Sequence, residues 1–170
     1  MSTKVFKTFK INLDEIKKTP GYPSKERLYK GPVAVIECPE EIPCNPCEAI
    51  CTRNAIIVGS HITNLPRFNY NKCDGCGKCI SICPGLAIFV VNNTYSKSEV
   101  TISVPYEIVF LPEKGESVDA VDRNGNVVCE GTVVRIQNPK SFDRTAVITF
   151  TAPKKYSDIV RNFKRKKGTR

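Results

Sequence analysis

Residues 73–84 read CDGCGKCISICP, four cysteines with the spacing CxxCxxCxxxC closed by a proline. Cysteine thiolates are soft ligands that both iron-sulfur clusters and zinc select, so the spacing has to distinguish between the two. A four-cysteine zinc site typically uses two CxxC pairs separated by a longer loop. Three cysteines at a continuous two-residue spacing, followed by three residues and Cys-Pro, favour an iron-sulfur cluster.

A second group of cysteines lies upstream, in the sequence CPEEIPCNPCEAIC over residues 38–51. A repeat at a fixed period indicates two copies of one supersecondary unit. Each copy is predicted to run from a cysteine turn through a short helix into an apolar strand, at residues 55–58 and 86–91, with preceding strands at 33–36 and 68–70 completing two hairpin-like pairs. A shift of 32 residues aligns Cys44 with Cys76, Cys47 with Cys79, Cys51 with Cys83, Ala55 with Ala87 and Ile56 with Ile88.

With these two runs, residues 33–91 resemble a two-cluster bacterial ferredoxin. In that family the first three cysteines of each run bind one [4Fe-4S] cluster, and the fourth binds the other cluster. The resemblance implies two cofactor sites, which we name by their ligands. Site 1 would consist of Cys38, Cys44, Cys47 and Cys83, and site 2 of Cys51, Cys73, Cys76 and Cys79.

The chain departs from the ferredoxin pattern at two positions. The repeat places Glu41 opposite Cys73, so the nearest candidate for the fourth ligand of site 1 is Cys38, which the residues PEEIP separate from Cys44. This departure leaves a [3Fe-4S] cluster at site 1 as an alternative. Thr52 follows the last cysteine of the first run, where the family usually has a proline.

The segments outside the repeat carry their own structural signals. Residues 3–13 alternate as a half-buried strand would, and Ser24 is placed to cap a short helix. Five further strands are predicted at residues 100–104, 108–111, 117–121, 127–136 and 145–151, and Asn124-Gly125 predicts a type I′ hairpin turn. Ser157 is expected to cap a final helix, with the apolar residues Tyr156, Ile159, Val160 and Phe163 on one face and a solvated basic tail of Arg161, Lys164, Arg165, Lys166 and Lys167.

The sequence therefore predicts an α+β chain in four parts. Residues 1–32 form an N-terminal strand and arm, and residues 33–93 a ferredoxin-like domain with two [4Fe-4S] clusters. Residues 94–153 form a small all-β barrel or sandwich, and residues 154–170 a short basic C-terminal helix and tail.

Charge and composition restrict the compartment and the partners. The chain of 170 residues has a net charge of +9, which is the sum of +7 on residues 154–170, +5 on residues 1–30 and −3 on residues 31–153. No secretory signal or membrane-length apolar run is present, which predicts a cytoplasmic protein without a membrane span, and nine cysteines then indicate metal rather than disulfides. The basic ends are interpreted as docking elements for an acidic partner surface; a plain solvated tail or nucleic-acid binding are the alternatives.

Cys129, His61 and the charged residues beside the two sites each bear on metal binding. Cys129 lies in a β segment outside the repeat, and His61 lies in the connection between the two copies, so neither is expected to bind metal. Negative charge near a cluster disfavours its reduction, which predicts the lower potential for site 1 unless these charges are fully solvated. The charges in question are Glu37, Glu40, Glu41 and Glu48 beside site 1, against Lys72 and Lys78 beside site 2.

Two clusters without a catalytic constellation predict one-electron transfer and no catalysis by this chain. The variant ECPEEIPCNPCEAIC, followed by PGLAIFVV and a small β domain, resembles the ferredoxin-like subunit of multi-subunit flavin-dependent amine or amino-acid dehydrogenases. These enzymes are the proline, hydroxyproline or sarcosine type of archaea and anaerobic bacteria. The resemblance implies a hetero-oligomer with FAD-containing dehydrogenase subunits, in which electrons pass to another flavin, a [2Fe-2S] subunit or a soluble acceptor.

Three other functions remain open from the sequence. A free-standing soluble ferredoxin would use the same clusters, although about 30 residues precede and nearly 80 follow the repeat. A redox subunit of another oxidoreductase, such as a hydrogenase or an oxoacid oxidoreductase, is the second. A metal-containing nucleic-acid binder is the third, and it would make use of the basic ends.

Overall fold

The computed structural model describes residues 12–166. Their secondary structure is mostly strand. The nine strands in chain order are β1 (Val33–Ile36), β2 (Ile56–Ile57), β3 (Arg67–Phe68), β4 (Ile88–Asn92), β5 (Glu99–Tyr106), β6 (Ser117–Val121), β7 (Val127–Gln137), β8 (Ala146–Pro153) and β9 (Asn162–Arg165).

The four α-helices of the described residues are short. They are α1 (Leu13–Ile16), α2 (Lys25–Leu28), α3 (Pro46–Ile50) and α4 (Lys78–Ser81). The predicted cap of the second helix is present, since Ser24 Oγ accepts a hydrogen bond from the backbone N–H of Arg27 at 3.3 Å. Pro46 opens α3, where its missing N–H costs no helical hydrogen bond.

The two copies of the repeat are paired with each other, and the hairpin-like pairs predicted within each copy are not formed. Strand β1 lies antiparallel to β4, with Val33 opposite Val91 and Ile36 opposite Ile88, and all four residues of β1 are buried. The inner strands β2 and β3 form a separate two-stranded sheet. The first strand of one copy therefore pairs with the last strand of the other, which brings the two cysteine runs together.

A single antiparallel sheet continues from the repeat into the rest of the chain, in the order β1-β4-β5-β8-β7-β6-β9. Strand β4 pairs with β5 through Val90 and Ser103. The buried residues form two hydrophobic clusters, one around the cysteine repeat and one between β5, β6, β7, β8 and β9. Tyr106 of β5 stacks on Phe163 of β9 at a centroid distance of 5.5 Å, so the sheet curls around the second cluster.

The prediction of a helix after Ser157 is wrong. Residues 162–165 form strand β9, which pairs antiparallel with β6. Phe163 packs against Phe150 in the core at a centroid distance of 5.2 Å. The local apolar spacing was compatible with a helix, but pairing with a strand more than 40 residues away in sequence prevails over it.

The basic residues of this segment are also not a solvated tail. Arg161 is buried, Arg165 pairs with Glu116 at 2.7 Å, and Lys164 Nζ donates to the carbonyl oxygen of Gly125 at 2.6 Å. Lys166 forms an ion pair with Glu130, and Lys167 lies outside the described residues.

Three local predictions also differ from the structure. Residues 108–111 form no strand; Ile108, Val109 and Phe110 lie in an exposed loop. A hairpin does join β6 to β7, but of its turn residues Gly125 has a positive φ and Asn124 does not, which excludes type I′. The predicted strand at 3–13 falls on residues outside those described, apart from its last two, where Leu13 begins α1.

Candidate metal centres

The structure brings the eight cysteines of the two runs to two pockets. The first pocket is lined by Cys38, Cys44, Cys47 and Cys83. The second is lined by Cys51, Cys73, Cys76 and Cys79. Each pocket thus takes three cysteines from one run and one from the other, the same grouping that the ferredoxin pattern implies for site 1 and site 2.

Short helices position these cysteines. Cys47 lies within α3, and Cys51 follows directly at its C-terminal end. The second copy repeats this arrangement, with Cys79 in α4 and Cys83 just beyond it. Each short helix therefore contains a cysteine of one pocket and is followed by a cysteine of the other.

Backbone N–H groups donate hydrogen bonds to three of the cysteine sulfurs. The N–H of Ala55 lies 3.3 Å from Cys51 Sγ, and the N–H of Ala87 lies 3.4 Å from Cys83 Sγ. These two contacts are equivalent under the 32-residue repeat, and Gly75 N–H adds a third at 3.4 Å from Cys73 Sγ. Such bonds stabilise a thiolate, and in iron-sulfur proteins hydrogen bonds to sulfur help to set the reduction potential.

Burial makes the inner cysteines poor thiolates in the absence of a cation. Burial, with a smaller contribution from the Cys83 thiol, raises the pKa of Cys47 to about 11. Burial also raises the pKa of Cys79, with Cys73 as the next cause. Metal binding at these positions must therefore release protons, and its affinity increases with pH.

A glycine and an arginine hold the loop that carries Cys73. Gly75 has φ +71°, and a Cβ there would lie 2.6 Å from Pro32 Cβ, so only glycine fits. The Arg27 guanidinium donates to four backbone carbonyl oxygens, at distances of 2.9 to 3.1 Å. These belong to Tyr70, Gly31, Pro32 and Cys73.

A buried ion-pair network lies next to Cys38 of site 1. Glu37 immediately precedes Cys38, and its carboxylate accepts hydrogen bonds from both Arg123 and Arg161. These two guanidinium groups, opposed mainly by burial, lower the pKa of the Glu37 carboxyl. Glu37 is therefore a buried, paired carboxylate, and the alternative that it is a solvated surface charge is wrong.

Sequence reasoning missed the roles of Arg27, Arg123 and Arg161. Arg123 and Arg161 are 86 and 124 residues away from Glu37 in sequence, a separation that leaves no local pattern. The signal that was available for Arg27 is the Ser24 cap, which predicts a helix and hence a fixed position for the third residue after it.

Comparison with known proteins identifies the cofactor class. The 4Fe-4S binding domain family matches residues 65–88. One component of the Na⁺-translocating ferredoxin:NAD⁺ oxidoreductase complex of Acetobacterium woodii is 42% identical over 38 residues. The chain carries an iron-sulfur ferredoxin module. That alignment covers 22% of the chain and 11% of the relative, and no solved structure matches the chain.

The donor set of the ferredoxin module fits its cofactor, because four thiols line each pocket and a [4Fe-4S] cluster takes four cysteine ligands. Within residues 12–166 no three Cys, His, Asp or Glu side chains lie close enough together to hold one single metal ion. Cys129 lies on β7 and lines neither pocket, and neither does His61. No helix among the described residues has the length and apolar character to cross a membrane.

Proposed function

We propose that this chain is a non-catalytic electron-transfer subunit that holds two [4Fe-4S] clusters, one at site 1 and one at site 2. The observation that carries the proposal is the pair of four-cysteine pockets, each built from both copies of the repeat. When bound, each cluster accepts and releases one electron at a time. The chain holds the ligands, supplies hydrogen bonds to sulfur and brings the two sites side by side within one small module.

The side-by-side placement follows from the pairing of the two copies. Helix α3 supplies Cys47 to site 1 and ends at Cys51 of site 2, so one turn of helix separates ligands of the two sites. Both Cys51 of its own site and Cys47 of the other lie close enough to Cys79 to raise the pKa of its thiol. We infer that an electron enters at one site and leaves by the other.

The proposal places the chain in a multi-subunit oxidoreductase. Its resemblance to the ferredoxin-like subunits of flavin-dependent amine and amino-acid dehydrogenases supports FAD-containing partners, with a [2Fe-2S] subunit as a further acceptor. A second candidate rests on the Acetobacterium woodii relative, which belongs to a ferredoxin:NAD⁺ oxidoreductase complex. The two candidates share the same role for this chain and differ in the donor and acceptor that it connects.

Cofactor analysis of matched variants tests the two-cluster assignment. Anaerobically reconstituted wild-type protein should contain about eight irons and eight sulfides, since each [4Fe-4S] cluster contributes four of each. Cys129→Ser is the control and should keep this content, because Cys129 lines neither pocket. Cys83→Ser should lose or convert one cluster only. Zinc without sulfide in the wild-type protein would overturn the proposal.

The fourth ligand of site 1 has its own test. Cys38→Ser should change the electron paramagnetic resonance (EPR) signals of one cluster if Cys38 is a ligand. If the wild-type protein already shows a [3Fe-4S] signal that Cys38→Ser leaves unchanged, Cys38 is not a ligand and site 1 holds the smaller cluster.

Purification of the native complex distinguishes the partners. Anaerobic isolation followed by flavin analysis and identification of the other subunits should yield FAD and an amine-oxidising subunit for the first candidate. Subunits that react with NAD⁺ and ferredoxin would favour the second, and a lone monomer with the same iron would make the chain a free ferredoxin.

A further inference from the structure

The buried network behind site 1 carries more positive than negative charge. Arg123 donates to both carboxylate oxygens of Glu37, at 2.7 and 2.5 Å, and Arg161 Nε donates to one of them at 2.6 Å. The three side chains are 11%, 3% and 6% exposed for Arg123, Arg161 and Glu37. Two guanidinium groups and one carboxylate leave one positive charge that no partner within this triplet balances.

The remaining donors of both guanidinium groups are fixed by neutral groups. Arg161 Nη1 donates to the carbonyl oxygens of Ser157 and Val160, both at 2.7 Å, and Nη2 contacts the Tyr22 hydroxyl at 3.4 Å. Arg123 Nη1 donates to the carbonyl oxygen of Asp158 at 2.8 Å. These contacts orient the arginines without neutralising them.

The carboxylate of Asp158, which contacts the same Tyr22 hydroxyl as Arg161, compensates only in part. The Asp158 carboxylate contacts the Tyr22 hydroxyl at 3.5 Å and pairs with Lys17 at 2.8 Å. That ion pair is exposed at 36% for Lys17 and 42% for Asp158, so water screens it. The surplus positive charge of the triplet is therefore buried and only weakly opposed by Asp158, which is costly unless another negative group lies close by.

A negative group is expected one residue away from Glu37. Glu37 is joined by a peptide bond to Cys38, and one large groove is lined by Glu37, Cys38, Arg123 and Arg161 together. A cluster held by four thiolates is an anion, and reduction adds one more negative charge to it. The fixed positive charge would favour the reduced form because opposite charges attract more strongly away from water.

We propose that Arg161 is a positioning residue that, with Glu37 and Arg123, holds the Cys38 loop and raises the reduction potential of the cluster at site 1. This inference rests on the proposed assignment of Cys38 to a cluster. It reverses the sequence-based expectation for Glu37, whose negative charge is outweighed by its two arginine partners. It also gives the β strands a role in the redox chemistry, since Arg123 lies between β6 and β7 and Arg161 precedes β9.

Charge-altering variants of the network have opposite expected effects. Arg161→Gln removes a positive charge and should lower one of the two midpoint potentials in an anaerobic EPR redox titration. Glu37→Gln removes a negative charge and should raise the same midpoint. The double variant restores the original net charge, so its midpoint should lie between those of the single variants. The other midpoint should stay at its wild-type value throughout.

A matched control separates charge from general damage. Arg165 lies on β9, the strand that follows Arg161, and pairs with Glu116 at 2.7 Å; neither residue of this pair lines a cysteine pocket. Arg165→Gln should therefore move neither midpoint. Arg161→Lys keeps the positive charge but replaces the planar guanidinium group by an ammonium group. This variant should retain the wild-type midpoint even if Arg161→Gln fails to hold the cluster.

The outcomes distinguish this inference from the proposed function. If the wild-type protein holds no cluster at the Cys38 pocket, the proposed function fails before the network is tested. If both clusters are present and Arg161→Gln and Glu37→Gln leave both midpoints unchanged, or move one in the same direction, the inference is wrong. If Arg161→Lys shifts the midpoint as Arg161→Gln does, the effect comes from packing and the inference is likewise wrong.

Discussion

Replacing Arg27 by alanine should selectively weaken site 2. The guanidinium donates to four backbone carbonyl oxygens, which tie the Cys73 loop to the turn at Gly31 and Pro32 ahead of β1. Without this side chain, the loop would be held mainly by its cysteines and by the packing of Gly75 on Pro32.

The size of the effect follows from the hydrogen bonds that are lost. A hydrogen bond to a charged group contributes roughly 1.5 to 3 kcal/mol, but the four bonds are not additive and water can reach some of the freed carbonyls. If two of the four acceptors stay without a partner, the loss is about 3 kcal/mol. At about 1.4 kcal/mol per factor of ten, the loop should open on the order of a hundredfold more often.

The assay is the rate at which iron is released to a chelator, followed anaerobically by visible absorption. Arg27→Ala should release one cluster on the order of a hundredfold faster than the wild-type protein, if release requires local opening. The matched control is Arg53→Ala, which breaks an ion pair with Asp74 beside the same loop. That pair is 61% and 43% exposed, so its loss should cost less than about 1 kcal/mol. Equal release rates for the two variants would refute this role of Arg27.

Three other predictions concern stability. Gly131→Ala should lower the free energy of unfolding by about 3 kcal/mol, because the added Cβ would lie 2.3 Å from the carbonyl oxygen of Thr151. Gly85→Ala is the control, because the space around Gly85 is open. Equal unfolding midpoints for the two variants would contradict the packing argument. Burial raises the pKa of Tyr22 to about 12 from an ordinary value of 10.0. Its contribution to stability should therefore be complete below pH 10 and decline as the pH rises towards 12. Ultraviolet titration of wild type and Tyr22→Phe should assign the last tyrosine to ionise to Tyr22; ionisation of all six near pH 10 would contradict this. Anaerobic removal of iron should abolish amide protection over residues 33–91, because the module depends on ligands shared between its halves; retained protection there would oppose this.

The grouping of the cysteines is what the resemblance to two-cluster ferredoxins implies, and that resemblance rests on the local cysteine spacing and the 32-residue offset. The structure places the same groups at the two pockets. Cys38 was the difficult case, since it lies outside the repeat register. Its position shortly after β1 brings it to the same pocket as Cys83.

The strands β1 and β6 match the predicted residues 33–36 and 117–121, because each is a short β-prone segment bounded by turn residues. The errors arise where the outcome depends on distant partners. Residues 108–111 are as apolar as a strand but find no neighbour to pair with among the described residues, and residues 162–165 have helical spacing but find β6. Local composition contains no information about either circumstance.

The buried charges were beyond the reach of sequence reasoning for a related reason. A run of lysines and arginines usually indicates exposed side chains, and the sequence predicts the basic segment around Arg161 as an exposed tail that docks to an acidic partner or remains solvated. In the fold, Arg161 meets Glu37 and Arg165 meets Glu116, so that the charge excess of this segment is partly internal. The remaining basic surface is correspondingly smaller than the net charge suggests.

The hydrogen bonds between β4 and β5 set a limit on how the chain can be divided. Cutting at residue 93 would leave Val90, Val91 and Asn92 without the partners that they have in β5. An isolated fragment of residues 33–93 would thus expose a strand edge, to which a second copy could add. A protein engineer who wants a minimal electron carrier from this chain should therefore retain the rest of the sheet, from β5 to β9, or block the new edge with a charged residue or a proline.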